Sequence, residues 1–192
     1  MKRPRLLPLS LPHGFTLLEL LTVMTIIMIL AGMVLAGMGY AQQKAALSRA
    51  QAEIAALSTA LESYKADNGE YPKDTSTDAL DPSTSGNPTA YTDAGKTLYY
   101  SLRSDYDQDG KVDETLDDNG DVVSRLKAYF EFKDSMLSAD KSAGNAYMVD
   151  PFGNAYGYST KGTYNPTFDL WSTGRETATP SAEVQEKWVK NW

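Results

Sequence analysis

HGFTLLELLTVMTIIMILAGMVLAG (residues 13–37) is apolar enough to lie in a bilayer, yet it carries a carboxylate, Glu19, near its start. The run 15–39 holds one charge in 25 positions. As a helix it measures about 37 Å at about 1.5 Å per residue, enough for a hydrocarbon core about 30 Å thick. Lys2, Arg3 and Arg5 precede it, and no further positive charge occurs before Lys44. By the positive-inside rule the basic end stays cytoplasmic and everything after the run is exported. The apolar part of a secretory signal peptide is about 7–15 residues long; this run is longer and passes into a helix without a break. Those features predict a single-pass membrane segment. They also raise a question, because a carboxylate placed in hydrocarbon costs at least a few kcal/mol and needs a partner or a purpose.

Composition narrows the chemistry. The 192 residues suffice for one membrane segment and one modest globular domain. With no cysteine, neither disulfides nor thiolate chemistry is available, and the one histidine, His13, precedes the apolar run. Histidine-based triads and His-rich zinc sites are thereby excluded. A net charge of −7 argues against a nucleic-acid surface, which needs clustered Lys and Arg.

Beyond the apolar run the helical pattern continues. Leu47, Ala50, Ile54, Leu57, Leu61 and Tyr64 recur at spacings of three and four and form one stripe. No proline or glycine interrupts residues 40–67, and Asn68-Gly69 followed by Pro72 supplies a stop. One helix is therefore expected from 15 to 67, greasy all round over 15–40 and on one side over 41–67. Residues 73–96 have loop composition. Short strands are expected at 98–102, 128–132, 155–159 and 167–171, the last two joined through TKGTYNP as a hairpin. The fold class is α+β, a long helix packed on a small antiparallel sheet with long loops.

Several motifs carry a family resemblance. A basic leader ending in Gly14, then FTLLELL with Glu19 five residues in, resembles the prepilin signature of type IV pilins and type II secretion pseudopilins. YKADNGEYP (64–72), VDPFGNAYGY (149–158) and FDLWSTG (168–174) resemble the major, G-type pseudopilins. The resemblance implies the type IV pilin fold, with a cleaved leader 1–14, a filament-core helix 15–40, an amphipathic half 41–67 and a periplasmic domain 68–192. It implies cleavage between Gly14 and Phe15 by a prepilin peptidase and N-methylation of Phe15. It further implies an inner-membrane assembly platform, minor pseudopilins, and a helical homopolymer that pushes folded proteins through an outer-membrane channel. Glu19 then has a purpose. Cleavage leaves an α-ammonium on Phe15, and a neighbour's Glu19 can supply its counter-charge in a dry filament core, which also sets subunit register.

A second constellation is SDYDQDGKVDETLDD (104–118). Asp105, Asp107, Asp109 and Asp113, with Gly110 and the carbonyl of Lys111, follow the opening of an EF-hand calcium loop. The twelfth position is Leu116 instead of Glu, and Asp117 lies one residue beyond. Ca²⁺ is the cation expected, held without flanking helices. G-type pseudopilins resemble one another in a further calcium site with paired aspartates in the C-terminal loop, but here residues 172–192 contain no aspartate and Arg175 stands in the expected acidic run. Two other functions remain open. A type IV pilus subunit would share the N-terminus, though many such pilins resemble one another in a C-terminal disulfide this chain lacks. An anchored periplasmic enzyme would need a nucleophile, phosphate-loop or zinc motif, and none is visible.

Overall fold

The computed structural model describes residues 14–142, 144–176 and 179–192, so most of the expected leader lies outside the described residues. Helix α1 runs over Leu17–Asn68, within two residues of the expected bounds. It ends as the sequence requires. Gly69 takes the left-handed conformation (φ +84°) that an L side chain resists, and its N–H donates to the Lys65 carbonyl at 2.8 Å.

The chain forms two compact units, one ending at Gln43 and one spanning Lys44–Trp192. In the first, the large apolar side chains from Phe15 to Met38 are exposed. Among the described residues α1 is the one helix long and apolar enough to cross a membrane.

In the second unit the stripe is the core. Ala50, Ile54, Leu57, Ala60 and Leu61 are buried, with Leu47 and Tyr64 packed at the margin. Against them lie Leu98, Leu102, Met148, Tyr156, Tyr158 and Leu170. The described residues form two sheets: an exposed hairpin, β1 (Glu114–Leu116) with β2 (Val122–Arg125), and an antiparallel three-stranded sheet of β3 (Gly157–Ser159), β4 (Asp169–Ser172) and β5 (Val189–Lys190) in that order. The expected 155–159 and 167–171 segments thus form the anticipated hairpin pair.

Two expected strands are corrected. Residues 98–102 lie inside a helix, α3 (Thr92–Arg103), because Ala94, Leu98 and Leu102 at four-residue spacing bury one helical face. Residues 128–132 form no strand; Tyr129, Phe130 and Phe132 pack as an irregular aromatic segment, with ring centroids 4.8 Å apart for Phe130 and Phe132. The expected loop 73–96 contains a short helix, α2 (Thr75–Ala79), closed by a capping box from Asp74. Another short helix, α4 (Ala182–Gln185), precedes β5.

Gly157 pairs directly with Trp171 across β3–β4, and the indole occupies the space a side chain at 157 would need. A Cβ there would collide with Cε2, Cζ2 and Cδ2 of Trp171. Trp171 is fully buried against Tyr91 and Trp188, so the ring has nowhere to retreat. Gly157→Ala is expected to lower unfolding stability by about 1–3 kcal/mol as an overpacked core site, read from chemical denaturation of the full chain in detergent. Unchanged stability would show that the sheet yields at this point.

Candidate functional site

Two places hold the residues singled out in the sequence. The first is the start of α1. Gly14 is exposed and a Cβ on it would meet nothing within 4 Å; Phe15 is also exposed. Thr16 immediately precedes the helix, and Glu19 stands three residues on. The Thr16 N–H donates to Glu19 Oε2 at 2.9 Å, as does the Thr16 hydroxyl at 2.9 Å. In return the Glu19 N–H donates to Thr16 Oγ1 at 3.2 Å. This reciprocal pair is a capping box, and it satisfies donors that the first turn leaves orphaned. The signal was present in the sequence as Thr-Leu-Leu-Glu, but the carboxylate's membrane setting drew the reading toward a partner in another chain. Glu19 therefore has a job within its own chain before any neighbour arrives.

The second place is the acidic loop, and the helix before it explains its shape. α3 closes on Ser104, which is left-handed (φ +57°) and donates its hydroxyl to the Lys127 carbonyl at 2.8 Å. The chain then doubles back, with the Asp105 N–H on the Tyr100 carbonyl at 3.0 Å. Gln108 (φ +62°) and Gly110 (φ +86°) supply the curl. Within it the Asp109 N–H donates to Asp107 Oδ1 at 3.1 Å and the Lys111 N–H to Asp109 Oδ1 at 2.8 Å. The Gly110 N–H donates to Asp105 Oδ2 at 3.0 Å. One carboxylate oxygen each from Asp105, Asp107 and Asp109 then lie within 4.8 Å of one another.

The other expected ligands are placed differently. Asp113 lies beside this group, its Oδ2 accepting the Tyr106 N–H at 2.8 Å. Asp117 serves the β1–β2 turn, its Oδ1 accepting the N–H groups of Asp121 and Asn119 at 2.9 Å each. Those bonds hold its carboxyl below the ordinary range. Lys111 puts its ammonium 3.4 Å from Asp109 Oδ2. In the C-terminal segment Glu176 is paired with Lys187 at 3.1 Å; residues 177 and 178 lie outside the described residues.

Asp105 differs from its neighbours in being fully buried. Burial pushes its carboxyl up, and the nearby Asp109 and Asp107 add to the rise, against the Gly110 N–H and Arg103. Arg103 was not foreseen. Its guanidinium stands 3.8 Å from Asp105 Oδ2, donates to the Tyr99 hydroxyl at 3.0 Å and reaches the Gly110 carbonyl. No sequence signal marks it, because residues 98–102 just before it read as a strand and not as the helix whose last turn carries Arg103.

Comparison with known proteins adds two matches. Residues 11–35 match the model of the prokaryotic N-terminal methylation motif, and residues 38–112 match that of type II secretion system protein G. Among relatives, the type II secretion system core protein G of Aeromonas hydrophila is 40% identical over 87 residues, covering 43% of this chain and 59% of that protein. The core protein G of Escherichia coli K12 is 44% identical over 60 residues, covering 31% and 41%. The core protein G of Pseudomonas aeruginosa is 28% identical over 164 residues, covering 85% and 83%. The chain thus spans only about half the length of the first two of these relatives. No solved structure matches significantly.

The capping box makes its own prediction. Glu19→Gln retains an acceptor for the Thr16 N–H, whereas Glu19→Val removes it, and a lost cap costs about 1 kcal/mol. Amide exchange of Thr16 in detergent micelles is expected to stay slow in the Gln variant and to accelerate about fivefold in the Val variant, the rate equivalent of that energy. Equal exchange in the two variants would remove the box as the reason for a slow amide.

Proposed function

Because the chain belongs to the type IV pilin and type II secretion pseudopilin family, and within it resembles the G-type subunits, we propose that it is a filament subunit of a type II secretion pseudopilus. The observation that supports this most strongly is the N-terminal end itself. A basic leader and Gly14 are followed by an exposed apolar helix whose first turn contains the one carboxylate in the run. A surface of exposed leucines, isoleucines and methionines fits a membrane-anchored subunit and is stable only where water is absent, in a bilayer or among copies of itself.

In this reading the basic end lies in the cytoplasm and the Lys44–Trp192 unit in the periplasm. A prepilin peptidase removes residues 1–14, leaving a charged amine on Phe15 at the membrane edge. The platform then lifts subunits into a growing filament in which apolar helices face one another. There the Phe15 ammonium of one subunit meets Glu19 of the next. Each charge is costly to bury alone and the pair offsets much of that cost. The capping box complements this role. It holds the Glu19 side chain against the helix start, the place where a neighbour's amine would have to arrive, so the carboxylate is oriented before assembly.

Two outcomes test the reading. Gly14→Val puts a β-branched side chain at the scissile bond, and intact-mass measurement on membrane fractions is expected to show the leader retained. A mature N-terminus other than Phe15 in the unaltered chain would remove the prepilin assignment. Glu19→Val and Glu19→Gln are both expected to be inserted and cleaved normally while filament yield falls at least tenfold, with Glu19→Asp between them. Because Gln keeps the intrachain cap, normal filaments from that variant would show that the cap, and not the charge, is what assembly uses.

A further inference from the structure

From the geometry of the acidic loop we infer that Asp105, Asp107 and Asp109 form a Ca²⁺ site, independent of the C-terminal segment and of whether the chain assembles into filaments. Calcium–oxygen distances of about 2.3–2.6 Å allow two ligands on opposite sides of one ion to lie at most about 4.6–5.2 Å apart. One oxygen from each of the three aspartates lies within 4.8 Å of the others. The three therefore fit around one ion.

Acidic clusters are common on surfaces, and the cluster alone would carry nothing. The second observation is Asp105 Oδ1. Asp105 is fully buried, and this oxygen has no hydrogen-bond partner, while Oδ2 is taken by the Gly110 N–H. A buried carboxylate oxygen left unpaired is strongly disfavoured, and native proteins rarely tolerate one without a ligand. Asp107 and Asp109 are exposed and would be free to move apart if repulsion governed the loop. Instead, short turns closed by their own side chains hold them toward Asp105.

The opposing charges are few. Lys111 approaches Asp109 but is 82% exposed, so an incoming ion displaces it at little cost. Arg103 stays, tied to Tyr99 and Gly110, with its Nε, itself without a hydrogen-bond partner, 3.8 Å from Asp105 Oδ2. The motif offers two more groups, the Lys111 carbonyl at the seventh position and Asp113 at the ninth, where calcium loops often reach the ion through water. With Leu116 in place of the bidentate glutamate, water completes the six to eight oxygens that calcium takes. Magnesium sheds water reluctantly and demands a regular octahedron, so this irregular, partly hydrated site selects calcium.

The site sits at a junction. The Asp113 N–H donates to the Ser104 carbonyl and the Leu126 N–H to the Asp113 carbonyl, each at 2.8 Å. An ion on the loop therefore pins both ends of the exposed β1–β2 hairpin to the end of α3, and its binding orders residues 104–126.

The test is a titration of the full chain in detergent micelles with CaCl₂, followed by amide NMR, after removal of divalent ions by chelator. Shifts confined to residues 104–126 are expected, with a dissociation constant of about 10⁻⁴–10⁻³ M, as in extracellular calcium modules. MgCl₂ is expected to bind at least tenfold more weakly. Asp107→Asn and Asp109→Asn, both exposed and so harmless to folding, are each expected to weaken binding at least tenfold, and Glu176→Gln to leave it unchanged. Absence of shifts in the millimolar range, equal response to magnesium, or binding unaltered in the two aspartate variants would overturn the site. Loss through Glu176→Gln alone would also overturn it, moving the ion to the C-terminal segment.

Discussion

The contact on which the Lys44–Trp192 unit depends is the burial of Ile54, Leu57 and Leu61, all on one face of α1. Each such side chain contributes about 1.5–3 kcal/mol when removed from water. The strands they cover, three, four and two residues long, are too short to hold a sheet together on their own hydrogen bonds. The sheet persists because Tyr156, Tyr158 and Leu170 lie against the buried face of α1. Polar contacts then fix the register of that packing. The Tyr156 hydroxyl donates to Glu53 Oε2 at 2.7 Å, while Arg49 holds the other oxygen of the same carboxylate at 2.7 Å.

Carboxylates organise most of the irregular chain. Asp169, buried beneath the β3–β4 loop, accepts the N–H groups of Thr163, Tyr164 and Asn165. Asp150 accepts those of Phe152 and Asn154, and the Ser172 hydroxyl besides; burial pushes its carboxyl up while these bonds pull it down. In both, the carboxylate oxygens are met by donors. Asp105 breaks the pattern, because one of its buried oxygens has no donor and its carboxylate is grouped with those of Asp107 and Asp109. That contrast within one molecule separates an aspartate that shapes a loop from one that keeps an unfilled acceptor, the one proposed above as a cation ligand.

Glu19 shows how one residue answers to two environments. In the isolated chain it satisfies the first turn through Thr16, a local contact available to any helix start. In the assembled state it would have to satisfy a charge supplied by another copy. The two demands do not compete, since a carboxylate can accept about four hydrogen bonds.

The long helix, its two faces and its stop at Gly69 were legible because they rest on interactions within a few residues: apolar spacing, a break-free run and a glycine able to turn left-handed. The prepilin signature was legible for the same reason, and so was the alternation of aspartates from 105 to 109. The secondary structure of residues 98–102 was not, since Leu-Tyr-Tyr-Ser-Leu suits either a strand or a helix and only the partners of Leu98 and Leu102 decide between them. The same holds for the candidate cation site. Spacing proposed five aspartates and a lysine carbonyl as ligands. Tertiary structure separated Asp117, which the hairpin turn consumes, from Asp105, which the end of α3 buries beside Arg103. Which oxygens end up near one another, and which remain without a donor, depends on where distant backbone closes around them, and a sequence pattern contains no such distance.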